Sequence, residues 1–209
     1  MNINNAIDLC RNTVRKIMSG VARFLNSASG GKLSPNTVTL VGLTMHIPIA
    51  LLIATGSYTQ AAILLVVFGL FDTLDGELAR LQKRASAAGM LLDASTDRIK
   101  EVILYTGVAY ALIAGENPTM AVWAVVACGA SICVSYIKAK GETAVKDKGL
   151  SSNEINRLFQ DGLFRFEIRM LILVLGLLGG QLFYAVVLIA LGSSLTAISR
   201  LIKISNKLS

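Results

Sequence analysis

Asp72-Thr73-Leu74-Asp75-Gly76-Glu77-Leu78-Ala79-Arg80, then eight residues, then Gly89-x-x-x-Asp93-x-x-x-Asp97: this stretch decides how the chain folds. Only about eleven apolar residues, 61–71, precede Asp72. A helix needs about 20 residues to cross the hydrocarbon core of a bilayer. The second apolar block can therefore cross only if it takes in both Asp72 and Asp75. The third block, 102–114, likewise needs residues from about Asp93 onward. Four carboxylates are thus expected on membrane helices, where one acidic side chain alone is costly. Such groups face a protein-lined, water-accessible cavity and mark a functional site.

The rest of the chain agrees. Its 209 residues are 54% hydrophobic and 16% charged, with a mean hydropathy of +0.62; soluble domains carry about 25% charged residues. Apolar blocks fall at 38–53, 61–71, 102–114, 120–134, 170–178 and 182–198. The expected fold is an all-α integral membrane protein with six transmembrane helices, preceded by an interfacial amphipathic helix. It is read as a single membrane domain over 1–209, with 1–33 the juxtamembrane helix and linker and 34–209 the bundle. All 20 Lys and Arg lie in the N-terminal region, the 80–100 and 138–169 connections and the C-terminal end. The turns near Gly56, Gly115 and Gly179 carry none, and Glu116 is their one charge. Positive residues mark the cytoplasmic face, so both termini and the acidic motif are expected there. This placement, together with anionic lipid headgroups, accounts for the formal charge of +7 and excludes a nucleic-acid partner.

Residues 3–27 place Ile7, Cys10, Val14, Ile17, Val21 and Leu25 at steps of three and four, with Arg11, Arg15 and Arg23 off that stripe. The pattern fits a helix lying in the membrane interface or packed on the protein. No cleavable signal peptide is expected, because the first apolar stretch lies beyond residue 30. Gly30-Gly31 breaks the chain, and Ser34-Pro35 supplies the N-cap and first residue of the first span. His46 and Pro48 read as packing or kink features, and Cys10, Cys128 and Cys133 show no metal or redox spacing. A short helix is signalled by Ser151-x-x-Glu154 within the polar stretch 141–162.

Helical spacing puts Asp72, Asp75, Gly76, Ala79 and Arg80 on one face, and Gly89, Asp93 and Asp97 on one face of the next helix. Side by side, these faces converge four carboxylates, which repel unless cations join them. Oxygen ligands without Cys or His select Mg²⁺, Mn²⁺ or Ca²⁺. Two such ions, about 3.5–4 Å apart, clamp a diphosphate and stabilise phosphoryl transfer. Gly76, Ala79 and Gly89 remove bulk so that a nucleotide can lie against the helix backbones. Arg80 can offer phosphate a bidentate fork. Structural ion pairs, with Arg80 and Arg98 as partners, are the bland alternative.

The pattern resembles the signature of the CDP-alcohol phosphotransferases at Asp72, Asp75, Gly76, Ala79, Arg80, Gly89, Asp93 and Asp97. The resemblance implies metal binding by Asp72, Asp75, Asp93 and Asp97, with Asp97 also the general base beside the metals, and Mg²⁺ or Mn²⁺, two ions, as cofactor. It implies a CDP-lipid donor such as CDP-diacylglycerol, held by Asp72, Asp75, Gly76, Ala79, Arg80, Gly89 and Asp93, and release of CMP. It also implies membrane lipid as surroundings and a homodimer. The runs Asp93-Ala94-Ser95-Thr96-Asp97-Arg98 and Val134-Ser135-Tyr136-Ile137-Lys138-Ala139-Lys140 are similar to the branch that uses inositol phosphate as the alcohol acceptor, departing from it at Ala94. That similarity implies an acceptor-phosphate site of Ser135, Lys138, Arg169 and Arg200, all of which also lie where the positive-inside rule places cations. Glycerol phosphate is the runner-up acceptor, followed by an uncharged one such as serine or inositol. A cation carrier is the remote alternative from another class; against it, the outer halves 104–114 and 170–178 carry no charged residue to continue a pathway.

Overall fold

A computed structural model describes the backbone over residues 3–115, 117–147 and 164–208, and side chains over 12–115, 117–144 and 164–207. The short helix expected at Ser151-x-x-Glu154, and Glu116, lie outside the described residues. Among the described residues all regular structure is helical. The order is α1 (Ile3–Ala28), α2 (Pro35–Ala54), α3 (Tyr58–Gly69), α4 (Phe71–Leu81), α5 (Ala87–Ile113), a 3₁₀ turn (Pro118–Ala121), α6 (Val122–Asp147), α7 (Phe166–Leu178) and α8 (Leu182–Leu208).

The local chemistry explains these boundaries. Gly30 and Gly31 take φ of +57° and +75°, the left-handed region that ends α1 without a Cβ clash. The Gly31 amide closes that end on the Asn26 carbonyl at 2.8 Å. Pro35 opens α2, and the Ser34 carbonyl accepts from the amides of Thr37 and Val38. The second apolar block breaks between α3 and α4. The Leu70 amide bonds to the Val67 carbonyl at 3.3 Å, a three-residue step in place of the α-helical four. Gly69, a poor helix former, precedes that tightening. Ser86 caps α5: its Oγ accepts from the Gly89 amide at 3.1 Å.

Among the described residues, three helical stretches are long and apolar enough to cross a membrane: Pro35–Ala54, Pro118–Ala144 and Leu182–Lys207. The 12-residue α3 and 13-residue α7 fall short individually, and α4 and α5 carry the motif's charges.

The chain forms two compact units. The first comprises residues 1–49 and 63–103. In it α1 packs on α4, with Ala22, Leu74 and Leu78 buried and Met18, Val21, Leu25 and Phe71 around them. Of the N-terminal stripe read from the sequence, Val21 and Leu25 join this seam, whereas Ile17 stays exposed together with Phe24. At the far end of α4, Gln82 Nε2 donates to Asn26 Oδ1 and to the Leu33 carbonyl, both at 2.8 Å. His46 is buried with Nδ1 2.7 Å from the Gly42 carbonyl, consistent with a packing role.

The second unit comprises residues 50–62 and 104–209. In it α6 and α7 pack along α8, burying Ala127, Val134, Leu173, Leu177, Val186 and Ile189. Small residues let the backbones approach. A Cβ on Gly107 would sit 2.4 Å from the Ala50 carbonyl oxygen, and one on Gly176 would sit 2.3 Å from Ala185 Cβ. Such close contact is how helices associate in lipid, where no hydrophobic force drives them together. The outer faces are apolar: Leu188, Leu191, Leu195 and Ile198 of α8 are all exposed. Such a face is a liability in water and is at no disadvantage among acyl chains.

Candidate active site

The acidic cluster lies within the first unit and is framed by α2, α4 and α5. On α4 the three-residue step between Asp72 and Asp75 turns both carboxylates to one face. Asp93 comes from α5. One carboxylate oxygen of each of these three residues lies within 4.8 Å of the others. Asp75 is buried, and the Thr39 hydroxyl of α2 donates to its Oδ2. Asp93 Oδ1 is buried and has no hydrogen-bond partner among the described residues. A buried carboxylate oxygen left without a donor is costly, and a cation beside it would relieve that cost. The donor set of three carboxylates with no sulfur or imidazole fits a hard divalent cation. The three residues therefore fit the metal expected from the sequence.

Asp97 stands one turn further along α5, outside this trio. Its Oδ1 lies 3.5 Å from Lys100 Nζ and its Oδ2 3.5 Å from Arg98 Nη2. Arg98 Nη1 makes the shorter contact, 2.8 Å, to Glu101, which is fully buried. Lys100, only 1% exposed, donates from Nζ to Asp72 Oδ1 on the neighbouring helix. Lys100 is thus a cation in contact with Asp72, while Arg98 meets Asp97 and Glu101 and Arg80 pairs with Glu77.

Arg80 is half-exposed and pairs with Glu77 at 2.5 Å; Arg15 of α1 meets the same Glu77 oxygen at 2.7 Å. Gly76 lies against the Arg80 guanidinium: a Cβ there would meet Nη2 at 3.6 Å, an ordinary contact. A Cβ on Gly89 would lie 3.3 Å from the capping Ser86 Oγ and 3.8 Å from Asn36 Oδ1. Ala79 is half-buried on the same α4 turn.

The residues read as an acceptor site all belong to the second unit. Arg169 and Arg200 are buried, and Arg200 lies within electrostatic reach of Arg169 and Arg165. Arg200 Nη1 donates to the Val134 carbonyl at 3.1 Å, which brings α8 against α6 beside Ser135. Arg169 Nη1 donates to the Phe164 carbonyl at 2.8 Å. Ser135 Oγ donates to the Ser131 carbonyl at 3.3 Å; Lys138 is exposed, with Glu142 3.8 Å away.

Sequence reasoning missed Thr39, Lys100 and Glu77. Lys100 left a readable signal, since it continues the face of Gly89, Asp93 and Asp97 by three residues. Thr39 left none, because its partner is 36 positions away.

Residues 32–198 match the family model described as CDP-alcohol phosphatidyltransferase, an interval that contains every residue of the cluster. The chain belongs to the CDP-alcohol phosphatidyltransferase family. A phosphatidylinositol phosphate synthase from Corynebacterium glutamicum is 37% identical over 116 residues, covering 54% of this chain and 53% of that protein. The chain therefore spans about half the length of the curated relative it matches. The fold is similar to that of the Mycobacterium tuberculosis phosphatidylinositol phosphate synthase with CDP-DAG bound. The TM-score is 0.75 at 26% identity, over 90% of this chain and 94% of that one. The crystal structure of the same synthase with manganese and citrate matches with a TM-score of 0.74 at 26% identity, over 90% of this chain and 88% of that one. With its apolar helices and these relatives, this member of the family is an integral membrane protein.

Proposed function

We propose that this chain is a metal-dependent transferase that moves the phosphatidyl group of CDP-diacylglycerol, or a related CDP-lipid, onto inositol phosphate and releases CMP. The observation that carries the reading is the gathering of one carboxylate oxygen each from Asp72, Asp75 and Asp93 within 4.8 Å, with a buried Asp93 oxygen lacking a partner among the described residues, inside the segment that the family model matches. The two similar mycobacterial structures, one with CDP-DAG bound and one with manganese and citrate, point to the donor and the metal class.

Asp72, Asp75 and Asp93 would hold Mg²⁺ or Mn²⁺, two ions in the full site. When bound, such ions neutralise charge on the diphosphate and on departing CMP. Asp97, placed outside the trio, takes the proton from the acceptor hydroxyl. That oxygen forms a bond to the β-phosphorus of the donor, the bridging P–O bond breaks, and CMP leaves with the electron pair. Nothing in this displacement calls for a covalent enzyme intermediate. Gly76, Ala79 and Gly89 keep the carboxylate faces low for the donor nucleotide, and Arg80, steadied by Glu77, offers its remaining donors to phosphate.

Ser135, Lys138, Arg169 and Arg200 are assigned to the acceptor's phosphate. Two buried guanidinium groups within electrostatic reach of each other favour an anion beside them. The same proposal takes the chain as one membrane domain with six spans, α3 with α4 forming the second and α5 the third. Its exposed Ile17 and Phe24 support the reading of α1 as an interfacial helix. Termini and site face the cytoplasm, where the Lys and Arg residues cluster. The chain works as a homodimer.

An acceptor screen tests this reading. Purified protein in detergent receives labelled CDP-diacylglycerol and Mn²⁺ with inositol phosphate, glycerol phosphate, inositol or serine. Inositol phosphate is expected to give the labelled phosphorylated lipid and stoichiometric CMP. Product from glycerol phosphate alone would move the acceptor assignment to the runner-up. CMP release with none of the four would remove the acceptor assignment, and no CMP at all would remove the transferase.

A further inference from the structure

Lys100 is the most deeply buried cation of the cluster, and its position was not anticipated. It sits on α5 one turn beyond Asp97, 1% exposed, and a buried ammonium is tolerated only where carboxylates surround it. Its Nζ donates to Asp72 Oδ1 across to α4 and lies 3.5 Å from Asp97 Oδ1. Asp72 is one of the three residues whose oxygens gather within 4.8 Å. A side chain of the protein thus already holds one of the carboxylates assigned to the metal. Arg98 makes its short contact to Glu101 at 2.8 Å and lies 3.5 Å from Asp97.

We propose that Lys100 is a positioning residue that acts through Asp72: it fixes that carboxylate in the metal-free cluster and competes with divalent cations for it. The proposal rests on the reading of Asp72, Asp75 and Asp93 as a divalent-metal site. A single positive charge in contact with a ligand carboxylate repels an incoming dication, and the repulsion is strong because little water screens it. The dication must also displace or share the hydrogen bond that Asp72 accepts from Nζ. Both effects set metal affinity below what the carboxylates alone would give. The diphosphate of a CDP-lipid adds oxygens and negative charge, so metal and donor favour each other's binding. Lys100 thereby makes stable metal loading depend on the donor.

Mn²⁺ binding to the purified full-length chain in detergent, without CDP-lipid, is read by electron paramagnetic resonance of free Mn²⁺. The variants are Lys100→Met, Lys100→Gln, whose amide still reaches for Asp72, and Lys100→Arg, which keeps the charge. Both neutral variants are expected to bind Mn²⁺ more tightly, by about 10- to 100-fold, as expected when one positive charge a few ångströms from a dication, only partly screened by water, is removed. Lys100→Arg is expected to stay near the wild type. Neutral variants with affinity equal to or weaker than wild type would overturn the proposal. So would neutral variants that cannot be obtained folded even with Mn²⁺ present, since Lys100 would then be a structural counter-ion. Asp93→Asn separates this failure from failure of the metal reading. If it binds Mn²⁺ as the wild type does, the metal site itself is misassigned. If it loses Mn²⁺ while the Lys100 variants do not tighten, only the role of Lys100 falls.

Discussion

Asp97→Asn is expected to lower turnover about a hundred- to ten-thousand-fold, the range for removal of a general base, while binding of CDP-diacylglycerol persists. The substitution keeps the shape of the side chain and removes its ability to accept a proton. The surroundings should tolerate the change. Lys100 keeps its bond to Asp72, and Arg98 keeps Glu101 at 2.8 Å, so neither cation is stranded in the interior. Asp97 also lies outside the trio whose oxygens gather within 4.8 Å, so those ligands remain. Single-turnover CMP release and a separate lipid-binding measurement check the two halves of the expectation. Full activity in the variant would take Asp97 out of the base role, and loss of lipid binding would make it part of the donor site.

The second large effect is expected at Asp93. Asp93→Asn should bring CMP release down to background and abolish Mn²⁺ binding, because the site loses one of its three charged oxygen donors. The stability signature is the informative part. Asp93 Oδ1 is buried with no hydrogen-bond partner among the described residues, and the Asp72, Asp75 and Asp97 carboxylates stand nearby. Replacing a charge so placed by a neutral amide removes repulsion and desolvation cost, so the metal-free variant should melt at the same temperature as the wild type or higher. A residue whose purpose was to hold helices together would show the reverse, activity retained and melting temperature lowered. Thermal unfolding in detergent with and without Mn²⁺ distinguishes the two.

What was legible in the sequence was whatever depends on spacing along one helix. The faces of α4 and α5 followed from three- and four-residue steps, and the structure brings Asp72, Asp75 and Asp93 together from those faces. The start of α2 at Pro35 and the break at Gly30-Gly31 were readable because proline and glycine restrict or free φ locally. What was not legible is the choice of partner across helices. Thr39 meets Asp75 from 36 positions away, and Lys100 meets Asp72 from 28. Both meetings are decided by how α2, α4 and α5 pack. Arg80 is a related case. Its forked geometry suits phosphate, yet Glu77 three residues earlier and Arg15 on α1 share one ion-pair cluster with it. The α1 stripe shows the same limit: periodicity marked an apolar face, but only tertiary packing selects Val21 and Leu25 for the seam and leaves Ile17 outside.

On the proposed reading, three aspartates from α4 and α5 hold the divalent cation on which transfer depends. The most direct measurement of this is CMP release from CDP-diacylglycerol by protein stripped with a chelator, followed as Mg²⁺ or Mn²⁺ is added back with inositol phosphate present. Background release is expected without metal, and a saturable rise on addition that is absent from Asp93→Asn at every concentration. Undiminished release by the stripped wild type, or the same metal response in Asp93→Asn, would contradict that reading.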